Sequence, residues 1–296
     1  MGTLMAFDTS YLYFRAYFGV PSSFRAPDGT PVNAVRGTLD FIARLVSQYG
    51  PDQVACAWDD DWRPQWRVDL VPSYKAHRVV EVAGAEAEQV EADLSIQVPL
   101  IRECLDALGL PVVGAAEHEA DDVLASLAAA NDSHTFVVTG DRDLFQLASA
   151  DTSVVYIARS VAKHEVVTPD LLVEKYGVSP DRYVDFAVLR GDPSDGLPGV
   201  KGIGEKSAAS LVTTYPSLSA MLAAAEDPSS PMAKAMRAKL LAAADYLEPA
   251  RQVVACVLDL PLPTPTRRGV DEQRAAELGE RLGLGGSMTR AIAALS

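Results

Sequence analysis

Residues 135–147 read TFVVTGDRDLFQL. Its first five residues are β-branched or aromatic, which is typical of a short buried strand. Two acids, Asp141 and Asp143, follow where that strand would end. Taken alone, such a pair is equally typical of a solvated turn. The rest of the sequence therefore has to decide between a turn and a functional site.

Three similar runs occur at LMAF (4–7), VACAW (54–58) and SVVYI (153–157), separated by helical patterns such as 35–48 and 122–130. Strands that alternate with helices predict an α/β fold with a parallel sheet. Asp8 and Asp59 directly follow two of these runs, as Asp141 and Asp143 follow a third. Because ligands bind outside the carboxyl ends of parallel strands, we expect these acids to converge.

The composition limits the possible functions. The chain has 296 residues, is 48% hydrophobic and carries a formal net charge of −14. Its opening residues do not resemble a secretory signal, and no window holds the roughly 18 uncharged apolar residues of a membrane helix, so we expect no membrane partner. The negative charge opposes binding of a polyanion unless bound cations offset the acids of a site and local basic patches dock the phosphates.

The segment EHEADDVLASLA (117–128) opens a predicted helix with three acids, Glu119, Asp121 and Asp122. Residues 119 and 122 lie one turn apart, so two carboxylates can face one metal ion. The alternative is that acids simply favour the positive end of the helix dipole.

Beyond about residue 170 the strand signal fades and a helical subdomain is predicted. There, GDPSDG (191–196) supplies Asp192 and Asp195, and it reads either as an acidic site or as an ordinary Asx-type turn. The following LPGVKGIGEKSA (197–208) places glycines and lysines between two helices. Backbone amides turned outward at a helix N-terminus suit the binding of phosphates without reading bases.

A basic stretch balances these acids. Residues 62–78 contain Arg63, Arg67, Lys75 and Arg78 against the single acid Asp69. Lys75 and Arg78 have helical spacing, so together they can face a phosphate. Interleaved aromatic residues serve either base stacking or a local core.

Together these segments resemble the 5′ nuclease family, which includes flap endonucleases, phage 5′ exonucleases and the amino-terminal domain of bacterial DNA polymerase I. The matching segments are AFDTSYLYFRAYFG, VACAWD, SYKAHR, EHEADDVLASLA, VVTGDRDLFQL and AVLRGDPSDGLPGVKGIGEKSA, in family order from residue 5 to about 212. The resemblance implies a PIN-like parallel-sheet nuclease core over residues 1–170, with a helical arch at about 70–100. It further implies a helical DNA-binding subdomain over 171–296, with a helix-hairpin-helix at about 185–212 and a carboxy-terminal segment that packs back on the core.

The resemblance also implies a role for individual residues. Two or more Mg²⁺ or Mn²⁺ ions would be bound. The inner or outer shell of the first would contain Asp8, Asp59, Glu119, Asp121 and Asp122, and the second would be served by Asp141, Asp143, Asp192 and Asp195. The scissile phosphate would be contacted by Lys75, Arg78 and Arg15. The downstream duplex would be held by the hairpin, with a K⁺ ion on its carbonyls: Gly199, Lys201, Gly202, Gly204, Lys206 and Ser207.

The function implied is that of a structure-specific 5′ nuclease, a 5′–3′ exonuclease or flap endonuclease of DNA replication and repair, with a two-metal mechanism. Its substrate would be branched or flapped DNA with a 5′ single strand, bound by a monomer in the bacterial cytoplasm at the nucleoid. A PIN-like ribonuclease and a catalytically silent module that binds branched DNA are the alternatives. No polymerase module follows residue 296, so a free-standing enzyme is expected.

Two features depart from the family pattern. Gly196 stands where relatives of polymerase I usually have Asn, which predicts a looser turn with its acidic residues retained. Between Arg78 and Leu100 the arch has five acids and neither Lys nor Arg, so it is expected to repel a threaded strand.

Overall fold

A computed structural model describes residues 2–82 and 85–296, without the side chains at 82, 85 and 86. Residues 83 and 84 of the predicted arch and residue 1 of the predicted core therefore lie outside the described residues.

The strands are short and lie in the first part of the chain. They are β1 (Leu4–Asp8), β2 (Gln53–Ala57), β3 (Val79–Val82), β4 (Ala85–Glu88), β5 (Val112–Val113), β6 (Thr135–Thr139), β7 (Thr152–Tyr156) and β8 (Glu165–Val167). Four of them, β1, β2, β6 and β7, confirm the strands predicted from the apolar runs.

The helices occupy the connections and most of the second half. They are α1 (Thr9–Gly19), α2 (Asn33–Tyr49), α3 (Gln65–Leu70), α4 (Ala92–Ser95), α5 (Gln97–Ala107), α6 (Ala120–Ala130), α7 (Pro169–Tyr176), α8 (Tyr183–Arg190), α9 (Glu205–Thr214), α10 (Leu218–Glu226), α11 (Lys234–Ala242), α12 (Ala244–Val254), α13 (Glu272–Arg281) and α14 (Gly286–Leu295). Single 3-10 turns lie at Ala76–Arg78, Asp143–Leu147, Val161–Lys163, Pro180–Arg182 and Pro193–Asp195.

The main sheet has six strands in the order β5-β2-β1-β6-β7-β8. All neighbouring pairs are parallel except β7–β8, which is antiparallel at the edge. Alternate strand residues face opposite layers, because side chains alternate across a sheet. Leu4 and Ala6 pack in the core with α6, α8 and α12, whereas Met5 and Phe7 pack in the core with α2, α5 and α14. The result is a three-layer α/β core with a mostly parallel sheet, as the alternation predicted.

Helices follow residue 167 throughout the described second half, which confirms a helical region there. Local signals position several of these helices: Thr168 caps α7 through the Leu171 amide, and Gly177 ends it with a left-handed backbone. The last two helices, α13 and α14, pack on the same side of the sheet as α2, where Met288 and Leu295 share a core with Leu39 and Ile42.

The predicted arch contains a β-hairpin where a helix was expected. β3 and β4 pair antiparallel, with Val80 opposite Ala87 and Glu81 opposite Glu86. The helical expectation is wrong for these residues because three valines, Val79, Val80 and Val82, favour an extended backbone. Short helices, α3 and α4, lie on either side of the hairpin.

Within the described ranges, no single helix has the length and apolar composition to cross a membrane. α9 and α10 satisfy both requirements only when joined across a 90° bend.

Candidate active site

The predicted convergence of acids occurs at the carboxyl edge of the sheet. Asp8 is the last residue of β1, and β1 lies between β2 and β6 with parallel pairing on both sides. Asp59 follows β2 and Asp141 follows β6. Because parallel neighbours end at the same edge, the three carboxylates face one cleft.

Eight acids line this cleft, which has a volume of about 530 Å³. We refer to it as the carboxylate cleft, and its acids from the predicted set are Asp8, Asp59, Glu119, Asp121, Asp141, Asp192 and Asp195. Lys75 and Arg78 also line it. Residues from distant parts of the sequence thus meet in one space.

Asp8 is fixed by its position between a strand and a helix. As the residue that caps α1, it accepts hydrogen bonds from the Tyr11 amide (3.0 Å) and the Ser10 hydroxyl (3.1 Å). Its other oxygen accepts from the Thr139 hydroxyl at 2.7 Å. Burial, and next the nearby Asp59, raise the pKa of Asp8 to about 6. The polypeptide therefore holds a carboxylate in an environment that disfavours its charge.

Asp59 and Asp121 meet in the cleft at the start of α6. Asp59 accepts a hydrogen bond from the Ala120 amide at 2.8 Å, which connects the end of β2 to the first turn of α6. Asp121, in that turn, has a pKa raised well above its ordinary value by burial and by Asp141 and Asp8. Burial, followed by Asp195, likewise raises the pKa of Asp141 to about 6. The acids repel one another, which a bound cation would relieve.

Glu119 is surrounded by cations and donors. Its Oε1 accepts from Arg67 Nη1 (3.0 Å) and from the Tyr74 hydroxyl (2.7 Å), and its Oε2 accepts from Lys75 Nζ. Burial alone would lower the pKa of Lys75, but Glu119 and Asp195 raise it above its ordinary value. Lys75 is therefore a charged ammonium group inside the cleft.

Asp122 does not line this cleft, and its place in the inner or outer shell of a metal stays a prediction. It is fully buried, and Arg67 donates to both of its oxygens, Nη2 to Oδ1 at 2.8 Å and Nη1 to Oδ2 at 2.9 Å. The Val257 amide donates to Oδ1 as well. The helical spacing that suggested a shared metal instead directs Asp122 toward Arg67 and α12, since Arg67 Nε also donates to the Val253 carbonyl.

Asp143 lies deeper than Asp141. Its amide donates to Asp141 at 2.8 Å, and its carboxylate lies 3.5 Å from Arg190 Nη2. Asp143 Oδ1 is buried and has no hydrogen-bond partner among the described residues. Burial and the neighbouring Asp141 raise its pKa well above the ordinary value. It lines a small separate cavity with Asp121 and Asp195.

The turn after α8 contributes the last two acids. Asp192 caps the turn through the Ser194 amide (2.8 Å), and Asp195 accepts from Arg78 Nη2 at 2.9 Å. The Asp195 carbonyl accepts from the Lys75 amide at 2.9 Å, so this turn holds the basic segment in place.

Gly196 has a steric reason to be glycine. Its φ is +70°, and a Cβ there would lie 2.2 Å from the Ser73 carbonyl oxygen. The departure from the family pattern thus permits close packing of the turn against residues 73–75. The expectation of a looser turn is wrong, because this glycine lies directly against the backbone of residues 73–75.

Arg15 lies beside the cleft and does not line it. It donates to the carbonyls of Ala158 (2.6 Å) and Arg159 (2.8 Å). Tyr11, one turn earlier in α1, does line the cleft. Direct contact of Arg15 with a phosphate remains a prediction.

Four contributors were missed by sequence reasoning as site residues. Arg67 and Tyr74 hold Glu119, Arg190 faces Asp143 and Asp192, and Glu88 of the arch hairpin lines the cleft. Arg67 lies in the basic stretch of residues 62–78, but the sequence does not show whether an arginine there forms buried ion pairs or is a surface charge.

The turn of the predicted helix-hairpin-helix joins α8 to α9, and from here on it is called the hairpin. Gly199 has φ +63°, and a Cβ there would lie 2.6 Å from the Arg190 carbonyl oxygen, so this turn requires glycine. Gly204 directly precedes α9, whereas Lys201 and Lys206 are exposed and Ser207 is half-buried. These residues form one exposed surface at the N-terminal end of α9, a geometry suited to phosphate groups.

A lysine from another helix contacts this hairpin. Lys239 of α11 donates from Nζ to the Gly202 carbonyl at 2.7 Å. An ammonium group therefore already satisfies one carbonyl that the resemblance assigned to K⁺. K⁺ binding at the hairpin stays a prediction, and at this carbonyl K⁺ would share the oxygen with Lys239.

The donor set fits hard divalent cations. Carboxylate oxygens are the ligands that Mg²⁺ and Mn²⁺ prefer, and the buried Asp143 Oδ1 accepts no hydrogen bond, although Arg190 Nη2 lies 3.5 Å from it. Among the described His, Cys, Asp and Glu residues, no three already converge on a single point as a metal cage. Binding of a cation would offset the repulsion among these acids.

Comparison with known proteins agrees with this geometry. Residues 3–177 match the family model of the 5′-3′ exonuclease N-terminal resolvase-like domain, and residues 178–275 match that of the 5′-3′ exonuclease C-terminal SAM fold. A 5′-3′ exonuclease of Streptomyces coelicolor is 50% identical, over 99% of this chain and 100% of its own length. One from Mycobacterium tuberculosis is 46% identical, over 99% and 97% respectively.

A solved structure shares the fold at low sequence identity. The flap endonuclease of bacteriophage T5, in a pseudo-enzyme–product complex with DNA and metal ions, superposes with a TM-score of 0.66 at 16% identity and 99% coverage of both chains. This likeness supports the arrangement of sheet and helices. By the two family models and the full-length bacterial relatives, the chain belongs to the 5′-3′ exonuclease family.

Proposed function

We propose that this protein is a structure-specific 5′ nuclease that hydrolyses DNA phosphodiester bonds near a 5′ end, using bound Mg²⁺ or Mn²⁺. The observation that carries the proposal is the carboxylate cleft, where acids from β1, β2, α6, β6 and the turn after α8 meet beside Lys75 and Arg78. Divalent cations held there would activate a water molecule and stabilise the leaving oxygen of an in-line displacement.

The chain's own residues would orient the scissile phosphate. Lys75 reaches into the cleft from a backbone with φ +48°, and its amide is bound to the Asp195 carbonyl. Arg78 lies next to it, with one third of its side chain exposed. Lys75 and Arg78 are paired with Glu119 and Asp195, and with divalent cations bound to those acids the two basic groups would be available to the phosphate. Lys75 and Arg78 would then hold the phosphate next to the acids of the cleft.

The hairpin would hold the duplex part of the substrate. Lys201, Lys206 and the amides near the start of α9 offer contacts to phosphate oxygens that do not depend on base sequence. In support, the T5 flap endonuclease has been crystallised with DNA and metal ions. We further propose that the protein acts as a monomer at the bacterial nucleoid, since its full-length relatives are bacterial.

The test is cleavage of a double-flap DNA labelled at the 5′ end, in Mg²⁺, Mn²⁺ or EDTA. Asp141→Asn removes one charge inside the cleft, and Asp245→Asn makes the same change at an exposed position as a matched control. We expect metal-dependent cutting near the junction that only Asp141→Asn loses, while both variants still bind the DNA.

Other outcomes would contradict the proposal. Cutting in EDTA would show that the reaction does not need a divalent metal. Cutting of single-stranded RNA alone would favour a PIN-like ribonuclease. Binding of flapped DNA without cutting in any metal would favour the catalytically silent module.

A further inference from the structure

Arg190, the last residue of α8, lies beside two of the predicted metal ligands. Its Nη2 lies 3.5 Å from Asp143 Oδ1 and 3.7 Å from Asp192 Oδ2, and its side chain is 9% exposed. Arg190 does not line the carboxylate cleft. Any effect that it has on a phosphate bound there must therefore pass through these two acids.

Several contacts fix the place of this arginine. Its Nε donates to the Gly191 carbonyl at 3.1 Å, and its guanidinium carbon lies 5.4 Å from the centre of the Phe186 ring, one turn earlier in α8. Its own carbonyl oxygen lies against Gly199 of the hairpin, where a Cβ would come within 2.6 Å of it. Because a guanidinium does not lose its proton in proteins, Arg190 is a permanent positive charge at this position.

The guanidinium of Arg190 does not clamp its neighbours as a structural ion pair does. Its Nη1 and Nη2 are buried and have no hydrogen-bond partner among the described residues, and Asp143 Oδ1 has none either. Arg67, by contrast, donates four hydrogen bonds of 2.8–3.0 Å. A structural pair would form such bonds, because a buried donor without a partner is costly. The looser spacing leaves Asp143 Oδ1 open to another cation.

The charge of Arg190 acts on the acids that are predicted to serve the second metal, Asp141, Asp143, Asp192 and Asp195. Burial and Asp141 raise the pKa of Asp143, whereas Arg190 lowers it. An adjacent cation generally weakens the binding of a proton to a carboxylate by about tenfold to a thousandfold. The same field opposes a divalent cation, which carries twice the charge of a proton.

We propose that Arg190 is a positioning residue that balances the charge of Asp143 and Asp192 in the metal-free protein and thereby weakens the binding of a divalent cation by these two acids. This inference rests on the proposed metal-dependent function, and it assigns a residue that regulates how strongly the metal is held. Removal of the Arg190 charge should therefore tighten metal binding. Loss of a merely supporting contact would weaken it.

The test is a titration of the DNA-free protein with Mn²⁺, in which the free ion is measured by electron paramagnetic resonance. Arg190→Met removes the charge and Arg190→Lys keeps it. Arg182→Met is the matched control, because Arg182 precedes the same helix and forms a partly buried pair with Asp185 at 3.1 Å. We expect Arg190→Met to tighten the weakest resolved Mn²⁺ binding on the order of tenfold, and the other two variants to stay within about twofold of wild type.

The opposite results would overturn the inference. Weaker or unchanged Mn²⁺ binding by Arg190→Met would show that its charge does not oppose the metal. Equal tightening by Arg190→Lys would show the same, since the lysine keeps the charge. If circular dichroism shows that Arg190→Met does not fold, Arg190→Gln, which is neutral but keeps a polar end, takes its place in the titration.

The Mn²⁺ concentration that gives half-maximal cleavage of flapped DNA is a second readout. It should fall on the order of tenfold in Arg190→Met, whereas a merely structural role would lower kcat and leave this concentration unchanged. Wild-type protein that binds no Mn²⁺ would refute the proposed function itself. Binding of Mn²⁺ by wild type with no effect of Arg190→Met refutes only the role of Arg190.

Discussion

Arg67 provides the sharpest test of how the site is held. Its guanidinium is 3% exposed and makes four hydrogen bonds, to Glu119, to both oxygens of Asp122 and to the Val253 carbonyl. In Arg67→Met the apolar stem remains but Asp122 becomes a buried carboxylate without a cation. Breaking a buried ion pair in this way costs about 3–5 kcal/mol of the free energy of unfolding.

The assay is urea unfolding of the metal-free protein at 25 °C, followed by circular dichroism. With a slope of about 3 kcal/mol per M, the urea midpoint should fall by about 1–2 M. Arg281→Met is the matched control, because its ion pair with Glu103 is about half exposed and should contribute roughly 0–1 kcal/mol.

A double variant separates loss of the pair from loss of packing. Arg67→Met with Asp122→Leu removes both charges, so we expect its stability to lie within about 2 kcal/mol of wild type. The remaining loss comes from the Val257 amide, the Val253 carbonyl and Glu119, each of which loses a partner. If Arg67→Met costs less than about 1 kcal/mol, or if the double variant is less stable than the single one, the reasoning is refuted.

Three further predictions concern the turn, the acids and the hairpin. Gly196→Ala should lower the turnover number at least tenfold with little change in DNA affinity, because its Cβ must displace the Ser73 carbonyl and with it the basic segment; full activity in single-turnover kinetics would contradict this. Since burial raises the folded-state pKa of Asp8 and Asp141 to about 6, these groups should lower the stability of the metal-free protein as pH rises from about 4 to above 6. Mn²⁺ should therefore raise the melting temperature more at pH 7.5 than at pH 5.5, because protons compete with the metal at the lower pH. An equal Mn²⁺ effect at both pH values would exclude this competition. Lys239→Met should weaken binding of duplex DNA several-fold in Na⁺ and less in K⁺, as measured by fluorescence anisotropy, because a hairpin carbonyl loses its ammonium donor; wild-type affinity in both salts would show that the contact is dispensable.

The sequence by itself determined the sheet and most of the cleft. Strands that alternate with helices favour a parallel sheet, and acids that directly follow such strands then lie at its carboxyl edge. Asp8, Asp59 and Asp141 are therefore found together as expected. The glycines of the hairpin were equally local signals, since a left-handed backbone at Gly199 leaves little choice of residue.

Only the tertiary structure decided which partner each charge has. Asp122 and Glu119 share a helix turn, yet one faces Arg67 and the other also meets Lys75 and Tyr74, because the segments that supply those groups lie far away in sequence. The contact of Lys239 with the hairpin and the position of Arg190 beside Asp143 are likewise products of packing. Periodicity reports which face of an element is apolar, but it carries no information about which distant element covers that face.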